Sequence, residues 1–176
     1  MKHLLLRGGF VALALALSAC AADRVAGLKA SAARPMPAAP ATTPACAFAI
    51  QSVDDRREDK SLGKVVRTQV DGEGFATWLG DGLAAIPGHA SGAAPTTLQV
   101  EVLKAYIHSI GYLKSANLVV RVTTVDPAGR RQATFRGVNG STNWNSTEAE
   151  IQEAFDRALA DLQQQIGADL ASHCSR

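Results

Sequence analysis

The pattern of apolar and polar positions predicts an α+β domain in the C-terminal three quarters of the chain. Stretches in which apolar residues alternate with polar ones predict five strands, at 47–53, 64–70, 98–107, 118–123 and 132–138. Apolar residues at helical spacing predict one helix through Phe75, Leu79, Leu83 and Ile86 and a second from Thr147 onward. The order is β-β-α-β-β-β-α. We therefore expect an antiparallel sheet of about four to five strands with two helices packed on one face.

The last helix has the clearest signals in the sequence. Thr147 and Glu150 have the spacing of a capping box, in which each residue satisfies a backbone N–H at the helix start. A continuous apolar stripe follows, formed by Ile151, Ala154, Phe155, Ala158, Leu159, Leu162, Ile166 and Leu170. Such a stripe covers the helix's own sheet or docks a partner, and the first is the expected role.

The sheet face opposite the helices is predicted to be mainly polar. It would carry Gln99, Glu101, Arg121, Thr123, Gln132 and Thr134, with apolar interruptions at Leu103 and Ile107. This face is either solvated or a binding surface.

The first 20 residues have the organisation of a bacterial export signal. Lys2 and Arg7 precede an apolar run at 10–17, which is too short for a permanent membrane span. The run ends in Leu17-Ser18-Ala19-Cys20, which resembles a lipobox. The resemblance implies a signal peptide at 1–19 and acylation (palmitate) of Cys20, whereas an ordinary signal peptide with a chance cysteine is the alternative. Ala21 is not the aspartate that retains many lipoproteins in the inner membrane, so we expect outer-membrane attachment with the domain facing the periplasm.

Residues 20–45 are interpreted as the lipidated cysteine and an Ala/Pro-rich tether. Prolines at 35, 37, 40 and 44 disfavour a helix, and large apolar residues are scarce. Fully stretched, this tether would reach about 80 Å. Residues 46–176 then form the periplasmic α+β domain.

The two remaining cysteines lie at the ends of this domain. In an oxidising compartment, Cys46 and Cys174 are predicted to form a disulfide, and two free thiols are the alternative. A metal site is not expected, because no histidine pair accompanies them.

The charge balance argues against a nucleic-acid partner. Without Lys2 and Arg7 the chain has 16 basic and 16 acidic residues. A neutral domain lacks the positive field that phosphate backbones require.

The sequence contains no recognisable catalytic, cofactor or metal motif, so we expect neither an enzyme nor a cofactor. His89, His108 and His173 lie on different predicted elements. A cation site at Asp54, Asp55, Glu58 and Asp59 is disfavoured, because three basic residues share that loop. The candidate partner contacts are Arg56 and Arg57 in this loop and Trp144 in a polar loop. For Trp144 we expect burial of the ring under the last helix, and an exposed contact is the alternative.

The element order resembles that of the YajG-type bacterial outer-membrane lipoproteins. The residues that carry the resemblance are Val53-Asp54-Asp55-Arg56, Leu62-Gly63 and Trp78-Leu79, followed by the strand pair and the final helix. More loosely, the chain resembles auxiliary lipoproteins of ABC-type transport systems. The resemblance implies a membrane-anchored protein that binds other envelope proteins, as an accessory or adaptor in envelope transport or maintenance. The oligomeric state is left open.

The alternative function is a lipid- or glycan-binding module of the cell envelope. Leu103, Tyr106, Ile107 and Tyr112 could line an apolar groove at one end of the sheet.

Overall fold

A computed structural model describes residues 24–29 and 46–174, without the side chain of Cys174. The strands are β1 (Arg24–Gly27), β2 (Phe48–Asp55), β3 (Gly63–Val65), β4 (Thr68–Asp71), β5 (Thr96–Ile110), β6 (Leu113–Asp126) and β7 (Gly129–Thr142). The helices are α1 (Phe75–Leu83) and α2 (Glu148–Cys174). The predicted α+β class with two helices is confirmed. No helix in the described part of the chain is long and apolar enough to cross a membrane.

The strands form one mixed sheet, which differs in detail from the predicted antiparallel sheet of four to five strands. In the described residues the sheet has seven strands. β5, β6 and β7 form an antiparallel meander, whereas β2 and β3 both run parallel to β5. β4 is antiparallel to β3, and β1 is parallel to β4. Alternation in a sequence reveals a strand but not the direction of its neighbour, so the parallel pairs were not predictable from it.

Both helices contribute to one core on a single face of the sheet. All eight residues of the predicted α2 stripe are buried, from Ile151 to Leu170. The rings of Trp78 on α1 and Phe155 on α2 meet edge to face at 6.2 Å. Gly137 allows α2 to approach β7 closely, because a Cβ there would overlap the backbone oxygen of Ala158.

A β-bulge in β5 changes which side chains face the helices. The register with β6 shifts between Val102 and Lys104. One extra residue reverses the alternation, so Ala105 and Ile107 are buried in the core and Tyr106 faces outward. The prediction that Ile107 interrupts the polar face is therefore wrong.

Part of the predicted tether at 20–45 belongs to the folded domain. Residues 24–27 form β1, which pairs along β4 from Arg24↔Thr68 to Gly27↔Asp71. Ala26 is buried, and the backbone N–H of Lys29 donates to Gln152 Oε1 (2.9 Å). Strand addition of this kind relies on backbone hydrogen bonds, which composition does not reveal. The predicted signal peptide, Cys20 and the proline-containing segment 30–45 lie outside the described residues.

Candidate functional site: a basin at a gap in the sheet

The candidate site lies where β2 and β3 leave a gap beside β5. These two strands follow each other along the same side of β5, and residues 56–62 between them leave the sheet. Two backbone hydrogen bonds mark the ends of the gap. One runs from Arg56 N to Val102 O (3.1 Å) and the other from Ile107 N to Leu62 O (2.7 Å). The β5 bulge lies between these two bonds. The gap and the bulge together produce an indentation in the sheet.

The side chain of Arg57 fills the inner part of this gap. Its Nε and Nη2 donate to the Asp55 carboxylate at 2.9 and 2.7 Å. Its Nη1 donates to the backbone oxygens of Ser61 (3.2 Å) and Ala105 (3.3 Å), and its guanidinium lies 4.8 Å from the centre of the Phe75 ring. Arg57 therefore supplies donors where a neighbouring strand is missing.

This burial removes Arg57 from the predicted contact surface, because the residue is only 7% exposed. A charged loop in the sequence suggests exposure of all its members. The structure instead turns one of them inward, where its charge is paired and its donors are used.

Asp55 is held ionised by this arrangement. Burial alone would raise the pKa of the Asp55 carboxyl, but hydrogen bonds from the Arg57 side chain and backbone outweigh it, with further help from the charges of Arg57 and Lys60. The net result is a pKa below the ordinary value.

The outer part of the gap is an open basin with a volume of about 460 Å³. Its lining consists of Arg56, Arg57, Glu58, Asp59, Ser61, Leu103, Lys104, Ala105 and Tyr106. Arg56 is exposed, as predicted, and its Nε lies 3.7 Å from Glu101 Oε1. The ring of Tyr106 stacks on that of His108 at 5.8 Å. The lining of the basin therefore includes charges of both signs and one aromatic ring.

The basin opens onto a polar sheet face, and neither α1 nor α2 covers that face. Cross-strand pairs run along it: Gln99 with Gln51 (3.1 Å), Arg121 with Glu101 (3.1 Å), Gln132 with Thr123 (3.2 Å) and Arg136 with Asn117 (2.8 Å). The polar character expected from the sequence is present. Each pair links side chains of neighbouring strands on this face.

The predicted apolar groove does not form. Ile107 is buried in the core, and Tyr112 lies in the turn between β5 and β6. Only Leu103 and Tyr106 share the basin. The bulge is the physical reason, since it moves Ile107 from the polar face to the core face of the sheet.

Trp144 is exposed, so the expected burial of its ring under the last helix is wrong, and its role as a partner contact stays a prediction. The exposed fraction of Trp144 is 80%. Its loop is ordered by the capping box, because the Glu150 carboxylate accepts hydrogen bonds from the backbone N–H groups of Trp144, Asn145 and Thr147 (3.0–3.2 Å). The bond from Thr147 is the main reason why the pKa of Glu150 is lowered.

The predicted covalent sites are only partly visible. Cys46 is half-buried and packs against the core just before β2, and Cys174 is the last residue of α2. Their pairing stays a prediction, because the Cys174 side chain lies outside the described part. Lipidation of Cys20 stays a prediction for the same reason.

The three histidines of the described residues lie apart from one another. His89 contacts Phe48, His108 contacts Tyr106, and His173 lies at the end of α2 near Asp169. Within residues 24–29 and 46–174, no group of three or more His, Cys, Asp or Glu residues could hold a metal ion.

Comparison with known proteins gives similarity at the level of fold. CT253, a hypothetical protein from Chlamydia trachomatis, matches with a TM-score of 0.50 and 10% identity, over 73% of this chain and 99% of that one. A minor lipoprotein from Acinetobacter baumannii has a TM-score of 0.41 and 14% identity, covering 72% and 94% of the two chains. Rare lipoprotein B from Shewanella oneidensis also has a TM-score of 0.41, with 12% identity and coverages of 73% and 99%.

No protein-family model matches the chain. No curated protein matches it significantly. The resemblance to YajG-type lipoproteins therefore stays a prediction, and the match to CT253 supports the fold alone.

Proposed function

We propose that this chain is a lipoprotein of the bacterial envelope that acts by binding other envelope proteins. Acylated Cys20 would attach it to the outer membrane, and the domain would face the periplasm. The role includes no catalytic step, cofactor or nucleic acid. An accessory or adaptor in envelope transport or maintenance fits this description.

The observation that carries the proposal is the basin on the uncovered sheet face. Arg56 and Lys104 bring positive charge to it, Glu58 and Asp59 bring negative charge, and Tyr106 brings an aromatic surface. Tyr and Arg are the residue types most often found at the centre of protein interfaces. Mixed charge favours a protein surface over a uniformly anionic ligand.

Photo-crosslinking in cells tests this role. The photoreactive amino acid p-benzoylphenylalanine is placed at position 106 in the tagged full-length chain, and at position 128, in the distant β6–β7 turn, as the control. We expect a defined envelope protein to be captured from position 106 only, and Arg56→Glu to abolish the capture. Equal capture from both positions, or capture unaffected by Arg56→Glu, contradicts the basin as the contact.

The anchor is tested separately by incorporation of labelled palmitate. The label should enter the wild-type protein and be absent from Cys20→Ser, which should leave the membrane fraction. Label in the Cys20→Ser protein would contradict the anchor.

A further inference from the structure

Five apolar side chains converge at one end of the sheet and are exposed there. They form a surface that we call the apolar tip: Val66, Ile110, Tyr112, Leu113 and Trp144. Tyr112 and Trp144 are the most exposed, at 84% and 80%. A contiguous exposed apolar surface on a folded domain indicates that something covers it.

The tip is assembled from three connections that are distant in the sequence. Val66 lies in the β3–β4 turn, and its backbone N–H donates to Ser109 Oγ (3.4 Å) beside Ile110. Asn143 N donates to Tyr112 O (2.7 Å), which holds the Trp144 loop against the β5–β6 turn. These bonds hold the three connections that carry the apolar side chains next to one another.

The chain enters the domain at the same end. β1 begins at Arg24, which is paired with Thr68, and the backbone N–H of Arg24 donates to Arg67 O (3.1 Å), next to Val66. Cys20 precedes Arg24 by four residues, which span at most about 14 Å when extended. A lipid on Cys20 therefore holds the bilayer surface within reach of the tip, whereas a free tether of 25 residues would not.

The chemistry of the tip suits the interface of a bilayer. Trp and Tyr concentrate at the level of the lipid headgroups, and aliphatic side chains insert just below them. Arg24 and Arg67 are exposed beside the tip, where they can bind lipid phosphates. Two acids lie at the start of α2: the Glu150 carboxylate is occupied by the backbone of the Trp144 loop, and Glu148 lies 3.7 Å from Lys29 Nζ.

We propose that the apolar tip inserts into the interface of the membrane that carries the Cys20 lipid. This inference rests on the proposed anchor and adds an orientation: the tip faces the membrane, and the β6–β7 turn points away from it. It gives Trp144 a lipid contact rather than a protein contact.

Tryptophan fluorescence on vesicles tests the insertion. The mature chain, residues 20–176, carries Cys20→Ser and a hexahistidine tag before position 20. The tag attaches it to vesicles of phosphatidylethanolamine and phosphatidylglycerol that contain a nickel-chelating lipid and brominated acyl chains. Attachment is thus imposed at the site of the anchor, whether or not Cys20 is acylated in cells.

We expect the bromolipid to quench Trp144 and to leave Trp78, which is buried between Phe75 and Phe155, unaffected. Trp144→Phe reports the Trp78 signal alone. Ile110→Ser and Leu113→Ser should reduce the quenching, whereas Val125→Ser, at the far end of β6, should not.

Two results overturn the insertion. In the first, Trp144 stays accessible to aqueous iodide and the bromolipid does not quench it. In the second, Val125→Ser reduces the quenching as much as Ile110→Ser does. Either result leaves the palmitate test of Cys20 untouched. A negative palmitate test, in turn, refutes the proposed anchor and leaves the vesicle measurement able to decide whether the tip binds lipid.

Discussion

The carboxylate of Asp161 on α2 accepts a hydrogen bond from the backbone N–H of Val138 at the free edge of β7 (3.0 Å). Gln165, one turn further along α2, donates to the backbone oxygen of Arg136 on the same edge (2.8 Å). Unpaired backbone groups on an edge strand are a template for pairing with another chain. The two side chains occupy these groups and so protect the last strand of the sheet.

Replacing Asp161 should therefore promote self-association. Asp161 also accepts a hydrogen bond from Gln165 Nε2 (3.1 Å). We expect Asp161→Ala to cost about 1–3 kcal/mol of unfolding free energy, because two hydrogen bonds are lost, and to produce dimers or larger species in sedimentation velocity. Asp156→Ala is the matched control, because its carboxylate accepts a hydrogen bond from Gln152 on the same helix rather than from the β7 edge. A monomeric Asp161→Ala protein would show that the edge needs no such protection.

Arg57 should be far more important for stability than its neighbour Arg56. Removing one member of a buried ion pair costs about 3–5 kcal/mol, so Arg57→Ala should lose that much in denaturant unfolding. Arg57→Lys should also be destabilising, because an ammonium group cannot reproduce the fork that reaches Asp55, Ser61 and Ala105 together. Arg56→Lys, at an exposed position, should change stability by less than about 0.5 kcal/mol. Equal effects at the two positions would contradict the role assigned to Arg57.

Asp55 should contribute to acid sensitivity. Its pKa is lower in the folded than in the unfolded chain, so its contribution to stability is complete above the unfolded pKa and is lost as the pH falls through the folded one. We expect Asp55→Asn to lower the unfolding free energy near neutral pH and to flatten its decline between about pH 5 and pH 2. Asp54→Asn, on the exposed adjacent residue, is the control and should change the unfolding free energy near neutral pH by less than about 0.5 kcal/mol. A slope unchanged by Asp55→Asn would exclude this coupling.

The predicted Cys46–Cys174 disulfide has a stability signature of its own. Closing a loop of this length removes about 4–5 kcal/mol of unfolded-chain entropy in the simple model. Cys46→Ser should therefore lower the melting temperature under oxidising conditions and have little effect once a reductant is present. If wild-type melting is the same with and without reductant, the disulfide does not contribute.

Several local features were predictable from the sequence because the signal and the structure extend over the same few residues. The capping box of Thr147 and Glu150 forms as expected, and the α2 stripe is buried from Ile151 to Leu170. Alternation located β5, β6 and β7, since each side chain's face depends only on its position along a regular strand.

Other features were decided only by tertiary structure, because they depend on contacts between distant parts of the chain. The bulge near Leu103 reversed the faces of Tyr106 and Ile107 and so removed the predicted groove. Arg57 occupies the gap between β2 and β3, where its side chain donates to four acceptor atoms of three residues, Asp55, Ser61 and Ala105.

The sequence by itself determined the types of the main elements and the helix that covers the sheet, since each depends on periodicity along neighbouring residues, and the export signal stays a prediction from composition. Tertiary structure alone decided that β1 joins β4 and that Val66, Ile110 and Trp144 meet at one end. These outcomes depend on backbone pairing and chain direction, and neither leaves a periodic mark in the sequence.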